Sequence, residues 1–176
     1  CAEPVRLIFV GTGDAEPQLR ALANRLDLGE TVHFKGFVPR EQMPLVYRDA
    51  DVFALPSEQA GMSIALLEAM ASGLPVIVTE TGGTAELVTQ GQNGEIVPWA
   101  DVSGLARALQ RMMDSNERQR MGQESRRRAV SFGWTALAAR YLELCARVAL
   151  PPVADRRTSR PAPVEVAPNV NKVPRG

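Results

Sequence analysis

The residues best placed to do chemistry lie in one stretch, Pro56-Ser57-Glu58-Gln59-Ala60-Gly61-Met62-Ser63-Ile64-Ala65-Leu66-Leu67-Glu68-Ala69-Met70. An apolar run ends at Pro56, Gly61 lets the backbone approach a ligand closely, and a helical pattern begins. The first-turn amides near Ser63, Ile64 and Ala65 have no acceptor inside such a helix. With the helix dipole behind them, they point at an anion such as a phosphate. Glu68 follows about one turn further in, where a carboxylate can accept hydrogen bonds from two neighbouring hydroxyls of a ribose. Taken alone, Glu68 reads as a capping or solvated helix residue, the commoner fate of a glutamate.

Other chemical signals are weaker. Gly11-Thr12-Gly13 after an apolar run fits a tight turn or a close approach to a ligand. It lacks the third glycine of the dinucleotide fingerprint, and no clear acidic partner ends the next strand. Gly82-Gly83 carries the same ambiguity. His33, the one histidine, reads as a packed residue or one facing a neighbouring strand. No Ser-His-Asp logic and no His or Cys cluster is found, so neither a metal nor a cofactor is expected. Trp134, Tyr141, Met112 and Met113 read as helix-packing residues. Cys1 and Cys145 form no metal-ligand spacing, and Cys145, in an apolar stretch, is expected to be a buried reduced thiol.

The elements around these residues alternate. Val5-Arg6-Leu7-Ile8-Phe9-Val10 is a near-continuous apolar run, the pattern of a strand covered on both faces. Leu19, Leu22, Ala23 and Leu26 recur at helical spacing, with Gly29 as the stop. Thr31-Val32-His33-Phe34, Asp51-Val52-Phe53-Ala54-Leu55, Pro75-Val76-Ile77-Val78 and Glu95-Ile96-Val97-Pro98 read as further strands. Helices are expected near 41–49, 62–72, 85–88, 102–113, 116–130 and 135–150. Strand and helix in alternation specify an α/β fold, a Rossmann-like parallel sheet with flanking helices. Ligands of such sheets bind beyond the carboxyl ends of the strands, here the loops 11–14, 36–39, 56–61 and 79–84.

Composition narrows the partners. The 176 residues hold 20 Lys plus Arg against 20 Asp plus Glu, a balance that argues against nucleic acid. The arginines bunched over 118–128 are interrupted by acidic residues and read as a solvated helix face. No signal peptide or transmembrane run is found, and a cytoplasmic protein fits best. Residues 1–150 are expected to form one domain. Residues 151–176, rich in Pro and Arg without periodicity, are expected to be a disordered tail, although their Pro-x-x-Pro-like content could recruit a partner. A first residue of Cys suggests a processed, cut or partial sequence.

Read in order, several segments resemble a known family. They are Leu7-Ile8-Phe9-Val10-Gly11-Thr12-Gly13, Val32-His33-Phe34-Lys35-Gly36-Phe37-Val38-Pro39, Ala50-Asp51-Val52-Phe53-Ala54-Leu55-Pro56-Ser57 and Leu66-Leu67-Glu68-Ala69-Met70-Ala71-Ser72-Gly73-Leu74-Pro75-Val76-Ile77. Gly82-Gly83-Thr84-Ala85-Glu86-Leu87-Val88, Asn93-Gly94-Glu95-Ile96-Val97-Pro98 and Phe132-Gly133-Trp134 continue the match. Together they resemble the C-terminal, donor-binding domain of the large retaining GT-B glycosyltransferase family that includes sucrose synthase, glycogen synthase-like and mannosyltransferase enzymes. The likeness covers about residues 5–148.

The resemblance implies one half of a GT-B architecture, two Rossmann-like domains facing across a cleft, and carbohydrate biosynthesis by hexosyl transfer from a nucleoside-diphosphate sugar without an essential metal. It implies Phe37 and Val38 beside the base, Glu68 on the ribose, and main-chain amides of Met62, Ser63, Ile64 and Ala65 on the diphosphate and sugar. Gly11, Gly13 and Gly61 complete the expected nucleotide-sugar-binding set; no catalytic residue is assigned.

Two departures bear on activity. The family carries two glutamates in an E-x₇-E pattern, and the first position is Ala60 here, with Glu58 two residues too early. The family also opens this domain with a strand and an Arg/Lys-bearing loop that neutralises the departing diphosphate, the main catalytic contribution expected. Those, and the acceptor domain, are absent from the sequence. The isolated chain is therefore expected to be inactive, with the acceptor domain supplied in cis or in trans. The alternative is a non-catalytic nucleotide-binding or scaffolding relative. A UDP-sugar epimerase, which shares the layout, would need further acid/base residues, and a nicotinamide-binding domain ranks last.

Overall fold

The computed structural model describes residues 5–58 and 61–148. The region expected to be a tail, 151–176, lies outside the described residues, as does Ala60. The chain divides into two units, residues 1–137 and 138–176.

In the first unit, β1 (Leu7–Phe9) leads to α1 (Glu16–Arg25) and β2 (Val32–Phe34). Pro17 in the first turn of α1 has no N–H to waste there, and Glu16 and Arg25 oppose the dipole at the two ends. The helix stops earlier than Gly29. Asp27 takes φ 55, a left-handed conformation that aspartate tolerates, and the Leu28 N–H closes the end on the Ala23 carbonyl.

A short 3₁₀ turn, Arg40–Gln42, opens α2 (Met43–Arg48), and β3 (Phe53–Leu55), α3 (Ile64–Ala71), β4 (Val76–Thr79), α4 (Thr84–Leu87) and β5 (Gly94–Val97) follow. Then come α5 (Val102–Arg111), α6 (Ser115–Val130) and α7 (Trp134–Val148), which runs into the second unit. Asp101 and Asp114 cap α5 and α6 with their carboxylates.

Every ladder is parallel, as the alternation requires, but the sheet comes in two pieces. β1 pairs with β2, Ile8 opposite His33; β3, β4 and β5 form a second sheet, with Val76 opposite both Phe53 and Gly94. β4 lies at the centre of the larger sheet and all four of its residues are buried. Val76 and Val78 pack with Leu66, Met70, Leu87, Val88 and Ala129. Ile77 belongs to a separate cluster with Val97, Ala108, Met112 and Met121. Alternate residues of one strand thus serve two cores, one on each face, which is the doubly wound arrangement.

Several side chains differ from expectation. Met112 is buried as expected, but Met113, Trp134 and Tyr141 are exposed, as are His33 and Cys145. Cys145 is a free thiol, but not a buried one: α7 has apolar periodicity yet no buried residue. Of the α6 arginines, Arg120, Arg126 and Arg127 face solvent as expected, whereas Arg118 and Arg128 are half-buried; Glu117 takes Arg111 and Arg120, and Glu124 takes Arg127 and Arg128. Among the described residues no helix is long and apolar enough to cross a membrane.

Candidate functional site

The site is built on α3. Ser63, in extended conformation, is its N-cap, and its Oγ accepts the Leu66 N–H at 3.3 Å; the Leu67 N–H goes to the Ser63 carbonyl. The cap therefore consumes the third amide of the helix and leaves those of Ile64 and Ala65 without an intrahelical acceptor. Gly61, Met62 and Ile64 are exposed, and Ser63 and Ala65 are half-buried. An anion arriving at this helix end meets open backbone and a favourable dipole.

Glu68 lies one turn in, half-buried. Its Oε2 accepts a 3.2 Å hydrogen bond from the Tyr47 hydroxyl on α2, while Oε1 accepts none from the described residues. Tyr47 is itself buried in a cluster with Ala69 and Leu74 and edge-on to Phe53. Burial, with the Glu68 charge and hydrogen bond adding to it, pushes the Tyr47 phenol up to about 12. The phenol thus stays protonated and donates, fixing one carboxylate oxygen and leaving the other to a ligand hydroxyl.

The loops after β3 and β4 are locked together at α3. The Thr79 hydroxyl donates to the Ser57 carbonyl. A Cβ on Gly83 would lie 2.5 Å from the Gly61 carbonyl carbon, so only glycine allows the two loops this approach. The Thr84 Oγ1 accepts the Thr81 N–H at 2.9 Å and braces the second loop, in which the Thr81 hydroxyl is buried without a partner among the described residues.

The other predicted residues gather at the smaller sheet. Gly11, at φ +115, donates its N–H to the Gly36 carbonyl at 2.8 Å, which joins the loops after β1 and β2. Gly13 is exposed, Phe37 is 76% exposed and Val38 is half-buried. An exposed aromatic ring beside a half-buried valine is a surface on which a planar base can lie.

Sequence reasoning missed Tyr47, Thr79 and the role of Gly83. Thr84 placed three residues after Thr81 was a readable turn signal; Tyr47 had no local signal, because its partner is distant in sequence. A cavity of about 240 Å³, lined by Pro56, Thr79, Val97, Trp99, Val102 and Leu105 among others, also opens at the carboxyl ends of β3 to β5. None of the predicted site residues lines it.

Comparison with known proteins places this geometry. Residues 2–128 match the family Glycosyl transferases group 1. The chain is 36% identical over 131 residues to the D-inositol 3-phosphate glycosyltransferase of Streptomyces coelicolor, covering 73% of this chain and 29% of that protein. Among solved structures it is similar to the sucrose-phosphate synthase of Thermosynechococcus elongatus, with TM-score 0.73 and 30% identity over 81% of this chain and 38% of that one. It is also similar to HepE of Anabaena in complex with UDP and glucose, with TM-score 0.74 and 25% identity over 82% and 41% of the two chains. The chain spans about a third of the length of the curated relatives it matches. The matched span, the α/β fold and the parallel ladders agree: the chain belongs to the glycosyl transferases group 1 family, with the Rossmann-like fold of GT-B glycosyltransferases.

Proposed function

We propose that this chain is the donor-binding part of a retaining glycosyltransferase that moves a hexose from a nucleoside-diphosphate sugar to an acceptor. The observation that carries the reading is the end of α3: open amides at Ile64 and Ala65 stand one turn before a carboxylate with one oxygen committed to Tyr47 and one free. The diphosphate meets those amides and the Met62–Ser63 backbone, the ribose meets Glu68, and the base lies along Phe37 and Val38 near the Gly11–Gly36 turn. A UDP and glucose complex of a structural relative supports a nucleotide sugar as the ligand. Retention of anomeric configuration follows from the resemblance. Metal-independent binding likewise follows from the resemblance.

Turnover belongs to a larger assembly, in which an acceptor domain in cis or in trans closes on this one. Leaving-group stabilisation by cations is the main catalytic contribution such a reaction needs. Ala60, where the family carries a glutamate, favours a second reading: a relative that binds nucleotide without catalysing transfer.

Calorimetric titration of UDP, GDP and ADP into the chain tests the site. At least one should bind, with or without a chelator, and Glu68→Ala should weaken it roughly tenfold or more, the worth of a charge-assisted hydrogen bond. Absence of heat with all three nucleotides would remove the donor site and leave the fold alone.

A further inference from the structure

α3 is held at both ends by backbone laid against backbone. At its opening end Gly83 abuts Gly61. At its other end the contact is between Gly73, two residues beyond the helix, and Gly122 in the middle of α6. A Cβ on Gly122 would run into the Gly73 carbonyl oxygen. Glycine is a poor residue for the interior of a helix, so its presence there calls for a reason, and close approach supplies one. Gly122 is buried, on the same side of α6 as Ser125 and Ala129.

Gly73 is coupled tightly to the site. The N–H groups of Ser72, Gly73 and Leu74 bond back to the carbonyls of Glu68, Met70 and Ala69 at 2.9, 2.9 and 3.1 Å. A push on the Gly73 carbonyl is therefore a push on α3, a short rigid rod about 12 Å long. α6, by contrast, is pinned elsewhere. Ser125 Oγ donates to the Asn93 carbonyl at 2.9 Å, Arg120 to the Gly91 carbonyl at 2.9 Å and Arg128 to Thr89 Oγ1 at 2.7 Å, all in the segment that leads into β5. Met121 is buried with Ile77 and Met112 in the second core. Toward α3, among the described residues, α6 makes one hydrogen bond, from Arg126 to the Ala71 carbonyl at 3.5 Å. Where the two helices are forced apart, α3 is the one that yields.

We propose that Gly122 is a positioning residue of the donor site: by letting Gly73 lie directly on α6, it fixes where α3 presents the Ile64 and Ala65 amides and the Glu68 carboxylate. No side chain stands between the helices at this contact, so α3 has no soft neighbour there on which to slide. Binding groups must be held to within about 0.5 Å to act together, and a preformed arrangement spares the ligand the cost of ordering it. Gly122 does this from the end of α3 remote from the ligand and touches no part of it. What α3 presents rests on the donor-site reading, whereas the hold of Gly122 on α3 stands without it.

Gly122→Ala and Gly94→Ala in the 176-residue chain make the test. Each sets a Cβ against a carbonyl oxygen, that of Gly73 in the first and of Val76 in the second, but Gly94 and Val76 pair at the amino ends of β5 and β4, away from the site. Measurements are made in sucrose, which favours the compact state and keeps overpacked variants folded. Both variants should lower the urea midpoint. Gly122→Ala should weaken whichever of UDP, GDP and ADP binds the wild type about tenfold, the effect of losing a charge-assisted hydrogen bond, and Gly94→Ala should leave affinity unchanged. A second readout needs no nucleotide. The Tyr47–Glu68 bond, at 3.2 Å, is at the long end of its range, so displacement of α3 breaks it. In a Tyr141→Phe background, Gly122→Ala should therefore bring the Tyr47 phenolate in at lower pH, and Gly94→Ala should not. Either readout left at its wild-type value in Gly122→Ala, an equal loss of affinity in Gly94→Ala, or a Gly122→Ala that stays unfolded in sucrose overturns the proposal. If none of the three nucleotides binds the wild type, the donor-site reading falls by itself, and the Tyr47 titration alone decides whether Gly122 positions α3.

Discussion

The Tyr47 hydroxyl donates to Glu68 Oε2 at 3.2 Å, tying α2 to the helix that carries the candidate site. Burial first, then the Glu68 charge and the hydrogen bond, push that phenol from 10.0 up to about 12. The fold therefore favours the protonated form. The stabilisation is fully present below the ordinary tyrosine value and is lost as pH rises through about 12.

That pair can be read directly. The sequence holds two tyrosines, so in a Tyr141→Phe variant the phenolate absorbance reports Tyr47 alone. It should appear around pH 12, and Glu68→Gln should bring it down while leaving it above the ordinary value, because burial remains. A Tyr47 titration that Glu68→Gln leaves unmoved in the folded Tyr141→Phe protein would mean that the contact with Glu68 is not made in solution.

Gly83 and Gly82 make a matched pair of substitutions. A Cβ at Gly83 meets the Gly61 backbone, whereas one at Gly82 meets nothing within 4 Å. Gly83→Ala should cost about 1–3 kcal/mol of stability, the usual toll of overpacking, and weaken nucleotide binding by shifting the loop that opens α3. Gly82→Ala should change stability by less than about 0.5 kcal/mol and leave binding intact. Urea melts and calorimetry on the two variants check this; equal behaviour would show that the loops do not abut.

How far the sequence told this in advance depends on how local each signal is. β4 was plain from Pro75-Val76-Ile77-Val78, since an unbroken apolar run in an α/β chain belongs at the sheet centre. The α3 cap was a local signal that went unread: the helix was expected from 62, whereas Ser63 caps it by answering an amide three residues away. The end of α1 was missed by two residues, as Asp27 and Gly29 can both adopt a left-handed turn. Tyr47–Glu68 spans 21 residues and Thr79–Ser57 spans 22, distances at which tertiary packing alone decides who meets whom. The split sheet was not legible either, because the apolar run of β1 reports the cover it is suited to, and the structure shows the cover it has.

Acid should loosen the chain through α6. Arg120 first, with Arg111, holds the Glu117 carboxyl down at about 2, and Arg127 with Arg128 does the same for Glu124. A depressed carboxylate contributes stability that is present above its unfolded value near 4.5 and is lost as pH falls toward about 2. Both carboxylates are half-buried at the surface and their arginine partners Arg120 and Arg127 are exposed, so salt should mute the effect. Urea midpoints at successive pH values should fall across that window, and Glu117→Gln should flatten the decline; an unchanged slope would show these ion pairs to be inert.

The last prediction concerns Ala60, which lies outside the described residues and eight positions before Glu68. If a carboxylate there contacts the donor sugar in relatives, restoring it adds a contact that a nucleotide lacking the sugar cannot make. Ala60→Glu should therefore strengthen sugar-nucleotide binding by about 1.5–3 kcal/mol, the worth of a hydrogen bond to a charged group, and leave plain nucleotide unaffected. Glu68→Ala should weaken both ligands alike, because the ribose is common to them. Parallel titrations of UDP and UDP-glucose into the wild type and both variants separate the two roles. A gain shared equally by both ligands in Ala60→Glu would place the new carboxylate on something other than the sugar.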